Sequence, residues 1–71
     1  MRVMLRSKSI ESVEYDGETA SLLVTFLSGK KYIYAFVPEK VFSEMLVAES
    51  AGRYFARHIR NQYKCTQVKE G

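Results

Sequence analysis

The spacing of apolar side chains changes at Pro38, and this change divides the sequence into a strand-forming part and a helix-forming part. Before Pro38, apolar side chains recur at every second position, as they do in a β-strand with one buried face. After it, they recur at intervals of three and four, as on the buried side of an α-helix. Proline lacks a backbone N–H but fits the first turn of a helix, so the sequence predicts that the strands end and the helices begin there.

Three strands are predicted at about residues 9–15, 21–27 and 31–37. Turn-forming residues separate them, with residues 16–19 (DGET) after the first strand and residues 28–29 (SG) after the second. Connections this short join antiparallel neighbours. The sequence therefore predicts a three-stranded antiparallel meander.

The second turn sets which side chains share a face, because a slip of one residue turns every side chain over. A two-residue loop would need a positive φ at Ser28 and at Gly29, which serine tolerates poorly. A three-residue loop that starts at Leu27 and has Gly29 in the left-handed conformation is therefore favoured. It predicts the cross-strand pairs Leu22–Tyr34 and Val24–Tyr32, and one shared face beneath the helices formed by Leu22, Val24, Phe26, Tyr32 and Tyr34.

Two short helices are predicted at about residues 38–48 and 50–63. Ser50 is a good N-cap for the second helix, because its hydroxyl oxygen can accept a backbone N–H of the first turn. Gly52 lets another part of the chain approach that helix closely. A chain of 71 residues is too short for two domains, so residues 1–71 are predicted to form a single α+β domain.

The sequence contains one cysteine, Cys65, which excludes an internal disulfide and a cysteine-based zinc cluster. The apolar segment Val3-Met4-Leu5 lies between two arginines and is far shorter than the core of a signal peptide. No apolar run approaches the roughly 20 residues that a membrane-spanning helix needs. These features predict a cytoplasmic protein without a membrane partner.

Positive charge is concentrated in the last third of the chain, within a net charge of +3. Four cations recur along one side of the second predicted helix: Arg53, Arg57, Arg60 and Lys64. Like charges this close repel one another, whereas the phosphates of a nucleic acid would neutralise them and release counterions. This pattern predicts binding to nucleic acid, with Tyr54 or Tyr63 contacting a base or sugar. A solvated helix face is the alternative.

Tyr32 and Tyr34 occupy neighbouring positions on one face of the third predicted strand. Paired aromatic side chains in a central strand can stack single-stranded bases, as in sheet-based RNA-binding domains. The predicted register instead places both rings beneath the helices, where tyrosines act as core residues with their hydroxyls at the rim. We therefore expect the core role.

The opposite face of the predicted sheet is also apolar and contains Leu23, Leu27, Ile33 and Val37. An exposed apolar patch is typical of a protein interface, here in a homodimer, with another protein partner, or in a small phage-type inhibitor of a host protein. In the alternative, the N-terminal segment Val3-Met4-Leu5 folds over part of this face.

The sequence shows no catalytic constellation. His58 has no nucleophile or orienting carboxylate at a suitable spacing, and we expect a structural histidine at the edge of the core. Cys65 follows the last predicted helix and is expected to be a surface thiol. We therefore expect no catalytic residues, no metal and no cofactor.

A series of short motifs runs along most of the chain in a set order: Ser9-Ile10, Val13, Tyr15-Asp16, Leu22-x-Val24-x-Phe26, Gly29, Tyr32-Ile33-Tyr34, Val37-Pro38, Phe42, Ala48-x-Ser50-x-Gly52, Phe55, Ile59 and Tyr63. Together they resemble the KTSC domain family, in which Tyr32 and Tyr34 would be the central Tyr-x-Tyr. That family is named for its occurrence at the C-terminus of some lysyl-tRNA synthetases and includes free-standing bacterial and phage-type proteins. The resemblance implies a small accessory domain, and the attachment to a synthetase suggests RNA binding.

Overall fold

The structure, a computed structural model, describes residues 1–69 of the chain. Within that range it contains two α-helices and one five-stranded antiparallel sheet, whose strand order follows the chain. The elements are β1 (Arg2–Met4), β2 (Ile10–Asp16), β3 (Ser21–Phe26), β4 (Lys31–Tyr34), α1 (Glu39–Val47), α2 (Ala51–His58) and β5 (Cys65–Val68). The predicted α+β class is confirmed, and the three predicted strands form the centre of the sheet as β2, β3 and β4.

The two edge strands, β1 and β5, do not follow from the sequence, which predicts three strands instead of five. β1 pairs with β2 and β5 pairs with β4, both antiparallel. Their sequences, RVM and CTQV, are too short and too polar to show a clear two-residue alternation. Each of them forms backbone hydrogen bonds with a single neighbouring strand, and such bonds do not show in the pattern of side chains.

The N-terminal segment extends the sheet as β1. Val3 lies opposite Val13 in the ladder, and both Val3 and Leu5 pack against the core, whereas Met4 is 65% exposed. The N-terminal ammonium group donates a hydrogen bond to the Tyr15 carbonyl oxygen at 2.9 Å. The alternative in which this segment folds over the outer face of the sheet is therefore wrong.

The hairpin between β3 and β4 has the predicted three-residue loop at residues 27–29. Gly29 has a φ of 94°, in the left-handed region that glycine adopts most easily. Its N–H donates to the Phe26 carbonyl oxygen at 2.9 Å, while the Phe26 N–H donates to the Lys30 carbonyl oxygen at 2.9 Å. These bonds close the loop and fix the register of the two strands.

The register of this hairpin buries the predicted face beneath the helices. The predicted pairs Leu22–Tyr34 and Val24–Tyr32 are both present. Phe55 of α2 is 1% exposed, and its ring meets those of Phe26 and Tyr34 edge-on, with centroids 5.6 Å and 5.4 Å away. On α1, the Phe42 ring stacks on Tyr15 at 5.0 Å. The core therefore lies between one face of the sheet and both helices.

The third predicted strand ends at Tyr34 instead of residue 37, because Phe36 adopts a left-handed backbone conformation with a φ of 57°. With this turn, Phe36 is 80% exposed and Val37 is fully buried. The Val37 N–H donates to the Ala20 carbonyl oxygen at 2.8 Å, and the Val37 carbonyl oxygen accepts the Tyr15 hydroxyl at 2.6 Å. The prediction that Val37 belongs to the outer face is wrong.

α2 ends at His58 instead of residue 63. Asn61 has a left-handed φ of 65°, which asparagine tolerates better than most side chains, and the chain returns to the sheet as β5 beyond it. The prediction that this helix extends to about residue 63 is therefore wrong, and Arg60 and Lys64 lie beyond its end. The first helix begins one residue after Pro38, close to its predicted start.

The packing of Phe55 generates a first prediction. Phe55→Ala should destabilise the fold by about 3–5 kcal/mol, because it removes a buried ring and leaves a cavity between α2 and the sheet. The matched control is Phe36→Ala, which removes an exposed ring and should cost less than about 1 kcal/mol. Urea denaturation followed by circular dichroism measures both, and equal losses would contradict this description of the core.

Candidate nucleic-acid interface

A groove of about 720 Å³ lies between α2 and the segment that joins β1 to β2. Residues 6–9 line one side, and α2 lines the other with residues 52–54 and 57–58. Residues 48–50, which connect the two helices, complete the lining. The groove thus unites three segments that are far apart in the sequence.

A serine turn shapes the first side of the groove. The Ser7 hydroxyl oxygen accepts the backbone N–H groups of Ser9 and Ile10, both at 3.2 Å. Gly52 of α2 faces this turn, since a Cβ atom built on it would lie 3.2 Å from the Ser7 Oγ and 3.3 Å from the Ser9 Oγ. Both distances are shorter than ordinary carbon–oxygen contacts, so glycine permits the close approach of α2 to the two serines.

The N-terminal turn of α2 is fixed by the predicted cap. The Ser50 hydroxyl oxygen accepts the Arg53 N–H at 3.2 Å. Arg57 follows four residues later, on the same side of the helix as Arg53. The cap therefore positions the turn that presents these two arginines to the groove.

Positive charge dominates the groove. Two cations come from each side, Arg6 and Lys8 from the segment before β2, and Arg53 and Arg57 from α2. All four side chains are exposed to solvent. Glu49 is the only carboxylate among the described residues of the lining. Clustered cations of this kind create a positive potential that attracts anionic ligands.

An aromatic pair lies beside the arginines on α2. The Tyr54 hydroxyl donates to the Glu44 Oε1 at 2.8 Å, which links α2 to α1. Partial burial, and then the hydrogen bond to the Glu44 carboxylate, raise the pKa of Tyr54 to about 12, so the phenol stays protonated at neutral pH. The His58 ring lies on Tyr54 with centroids 4.4 Å apart. His58 is exposed and lines the groove, whereas the sequence predicts a structural histidine.

The other members of the predicted basic face lie away from the groove. The Arg60 guanidinium is 5.7 Å from the centroid of the Phe55 ring, and the Lys64 carbonyl oxygen accepts the Ala35 N–H at 2.9 Å at the start of β5. Tyr63 is partly buried against the core. The structure therefore brings Arg53, Arg57 and Tyr54 together and separates them from the remaining predicted residues.

Arg6 and Lys8 are two cations of the groove that do not follow from the sequence pattern. They lie more than forty positions before α2 and belong to a short segment without a periodic pattern. The sequence features that come closest to indicating the groove are Ser7 and Ser9 in one segment and Gly52 in another, but only the folded chain brings them into contact. Sequence spacing along one helix cannot detect such a pairing.

The two tyrosines of the Tyr-x-Tyr motif belong to the core side of the sheet. Tyr34 is 5% exposed, and burial is the main cause that raises its pKa to about 12. Tyr32 is partly buried and meets Phe26 edge-on at 5.8 Å. The expected core role is confirmed, and these rings form no exposed stacking platform.

Two of the four apolar residues predicted for the outer face, Leu23 and Ile33, lie on that face of the sheet. Leu27 is 57% exposed in the hairpin loop, and Ile33 is 39% exposed. Ile33 pairs with the half-buried Leu23 across β3 and β4. A second groove beside this pair is bordered by the carboxylates of Glu14, Asp16 and Glu18. The outer face is therefore a small apolar patch next to negative charge.

Further candidate chemistry is limited in the part of the chain that the structure describes. Cys65 is an exposed free thiol on β5. Among residues 1–69, no three His, Cys, Asp or Glu side chains are grouped so that they could hold a metal ion. Nor does that range contain a helix of the length and apolar character that crossing a membrane requires.

The fold and the groove define a small α+β domain with a basic cleft on one helix. Residues 6–63 match the KTSC domain family, and the chain belongs to this family. A KTSC domain protein from Yersinia pestis has a crystal structure with a TM-score of 0.92 to this chain, at 29% identity and with 97% of each chain covered. The predicted family is thereby confirmed.

The chain is similar both to small proteins and to part of a large enzyme. An uncharacterized protein from Stutzerimonas stutzeri is 42% identical over 62 residues, which cover 87% of each chain. A protein from Tsukamurella paurometabola is 33% identical over 64 residues, which cover 90% of this chain and 96% of that protein. Lysine–tRNA ligase from Nostoc is 37% identical over 59 residues, which cover 83% of this chain but only 10% of the enzyme.

The cap at the edge of the groove generates a second prediction. Ser50→Ala should lower the free energy of unfolding by about 1 kcal/mol, because the Arg53 N–H loses its hydrogen-bond acceptor. Ser43→Ala is the control, since Ser43 is exposed within α1 and alanine favours helix. Urea denaturation compares the two variants. An equal or larger loss for Ser43→Ala would contradict the role of the cap.

Proposed function

We propose that this chain is a non-catalytic, cytoplasmic nucleic-acid-binding domain, with RNA as the expected ligand, and that the groove beside α2 holds the phosphates. The observation that carries the proposal is the meeting of four exposed cations from two distant segments, Arg6 and Lys8 with Arg53 and Arg57. Stability alone gives no reason to bring these like charges together. Phosphates would neutralise them and release counterions, which supplies the binding free energy. No metal or cofactor is needed.

The polar groups around the cations suit phosphate oxygens. The Ser7 hydroxyl oxygen already accepts two backbone N–H groups, so its own hydrogen remains able to donate to a ligand. Arginine adds a planar set of donors that can bind two phosphate oxygens at once. The groove therefore offers both charge and directed hydrogen bonds to a phosphodiester backbone.

The preference for RNA rests on a relative. Part of lysine–tRNA ligase from Nostoc is similar to this chain, and the name of that enzyme identifies tRNA as its substrate. The similarity to part of a tRNA-dependent enzyme supports RNA over DNA as the ligand of the present chain. Phosphate contacts give affinity without sequence choice, so weak, salt-dependent binding with little sequence preference is expected.

The third prediction concerns binding to a fluorescently labelled, mixed-sequence RNA, measured by fluorescence anisotropy across a salt series. With four phosphates neutralised, the slope of log K against log salt should be about −3 for a single strand. Arg53→Glu/Arg57→Glu should weaken binding by at least about tenfold and reduce the slope, because two phosphate contacts become repulsive. Arg6→Glu/Lys8→Glu should do the same from the other side of the groove.

The matched control is Arg60→Glu/Lys64→Glu. It changes the net charge by the same amount at positions outside the groove, so it should keep most of the affinity. Circular dichroism checks that every variant is folded. Equal weakening by the groove and control variants would show a diffuse effect of net charge and reject the groove. Absence of binding by the unaltered chain at low salt would reject the proposed function.

The outer sheet face supports a second candidate function, a protein-interaction module that forms a homodimer or binds another protein. The specific observation is the exposure of Ile33 opposite Leu23 on the outer face, together with the exposed Leu27 of the hairpin loop. A fourth prediction follows: Ile33→Glu should convert a dimer to a monomer in analytical ultracentrifugation and leave RNA binding unchanged. A monomer for the unaltered chain at all concentrations would reject the homodimer.

A further inference from the structure

Two parallel rows of side chains line the groove along α2. Arg53 and Arg57 form a charged row, and Tyr54 and His58 form an aromatic row, each with a spacing of four residues. Residues four apart are neighbours along one side of a helix, so the rows run side by side and differ by about 100° around the axis. A nucleotide has the same division, with a charged phosphate at one end and a flat base at the other.

In the aromatic row, Tyr54 is held in place by its neighbours and His58 is exposed. Tyr54 is partly buried against the core, and its hydroxyl is held by Glu44 at 2.8 Å. His58 rests on the Tyr54 ring with centroids 4.4 Å apart and an interplanar angle of 37°. One side of the imidazole lies against Tyr54. Because His58 is exposed and lines the groove, the ring remains open to a ligand there. This arrangement presents an ordered aromatic surface beside the two arginines.

We propose that the groove recognises an unpaired nucleotide, with its base stacked on the exposed side of His58 and its phosphate held by Arg53 and Arg57. The inference rests on the proposed function and narrows its ligand to single-stranded nucleic acid. In a duplex, each base is paired and stacked between its neighbours, so it has no free face for His58. Stacking on an aromatic side chain is sequence-tolerant, because every base has a flat π face.

Variants of His58 separate stacking from charge. His58→Ala removes the ring and should weaken binding to a labelled single-stranded RNA by about 5- to 100-fold. His58→Phe keeps an aromatic surface without a charge or a hydrogen bond, and it should retain most of the affinity. Binding of inorganic polyphosphate, which has no bases, should be the same for the unaltered chain and both variants.

Proton NMR gives a readout that a purely structural role for His58 would not change. His58 is the only histidine, so the signals of its imidazole ring are assigned without ambiguity. Single-stranded RNA should move them upfield through the ring current of a stacked base, whereas polyphosphate and a duplex of the same sequence should not. Circular dichroism confirms that the two variants are folded.

Several results would overturn the inference. They are an unchanged affinity of His58→Ala for single-stranded RNA, a loss in His58→Phe as large as in His58→Ala, or duplex binding as tight as single-strand binding. Each of these can occur while Arg53→Glu/Arg57→Glu still weakens binding, in which case phosphate binding in the groove stands without base stacking. If Arg53→Glu/Arg57→Glu leaves RNA binding unchanged, the proposed function fails as well.

Discussion

The packing of Phe55 against the sheet is the interaction on which the rest of the structure depends. The ring is almost completely buried and touches the aromatic side chains of Phe26 and Tyr34 from two strands. A small domain buries little surface, so one large aromatic residue supplies a considerable part of its hydrophobic free energy. Because Phe55 lies in the middle of α2, it also fixes the rotation of the helix about its axis. The residues on its far side are thereby turned toward the solvent.

This rotation explains how a short helix can contribute both to the core and to the lining of the groove. Phe55 faces the sheet, while Arg53, Arg57 and His58 are exposed. The approach of Gly52 to the serine turn at residues 7–9 then brings the N-terminal segment against the helix. Neither segment forms a groove alone. The concentration of positive charge is thus a consequence of tertiary packing, and it places Arg6 and Lys8 opposite the arginines of α2.

Local rules predicted the parts of this structure that depend on neighbouring residues. The hairpin at Gly29, the register of β3 and β4, and the cap at Ser50 follow from turn and capping chemistry, and all three are present. The prediction failed where a single residue leaves the expected backbone region. The left-handed backbone at Phe36 is followed by a buried Val37, and α2 ends at His58, before a turn in which Asn61 is left-handed. A positive φ is energetically costly for phenylalanine and therefore rare, so a phenylalanine in the sequence does not predict a left-handed turn.

The candidate site was half predicted for a related reason. The spacing of Arg53 and Arg57 along one helix predicts both of them, whereas Arg60 and Lys64 continue the same spacing beyond the end of α2. The approach of Arg6 and Lys8 to α2 depends on contacts between distant segments, and the exposed position of His58 depends on how α2 packs against the sheet. The edge strands β1 and β5 are not predicted, because each pairs through its backbone with one neighbouring strand and this pairing leaves no periodic pattern of side chains. The periodicity of apolar residues in the sequence indicates which side chains are buried. The edge strands and the groove depend instead on strand pairing and on the packing of distant segments.

The most direct test of the central claim is a titration of the ¹⁵N-labelled chain with single-stranded RNA, followed by two-dimensional NMR. If the groove binds the ligand, the amide signals of residues 6–9 and 50–58 should shift together, with one dissociation constant that rises with salt. Signals from β3 and β4, including those of Leu23 and Ile33, should stay in place. Shifts centred on the outer sheet face, or spread evenly over the chain, would contradict the account.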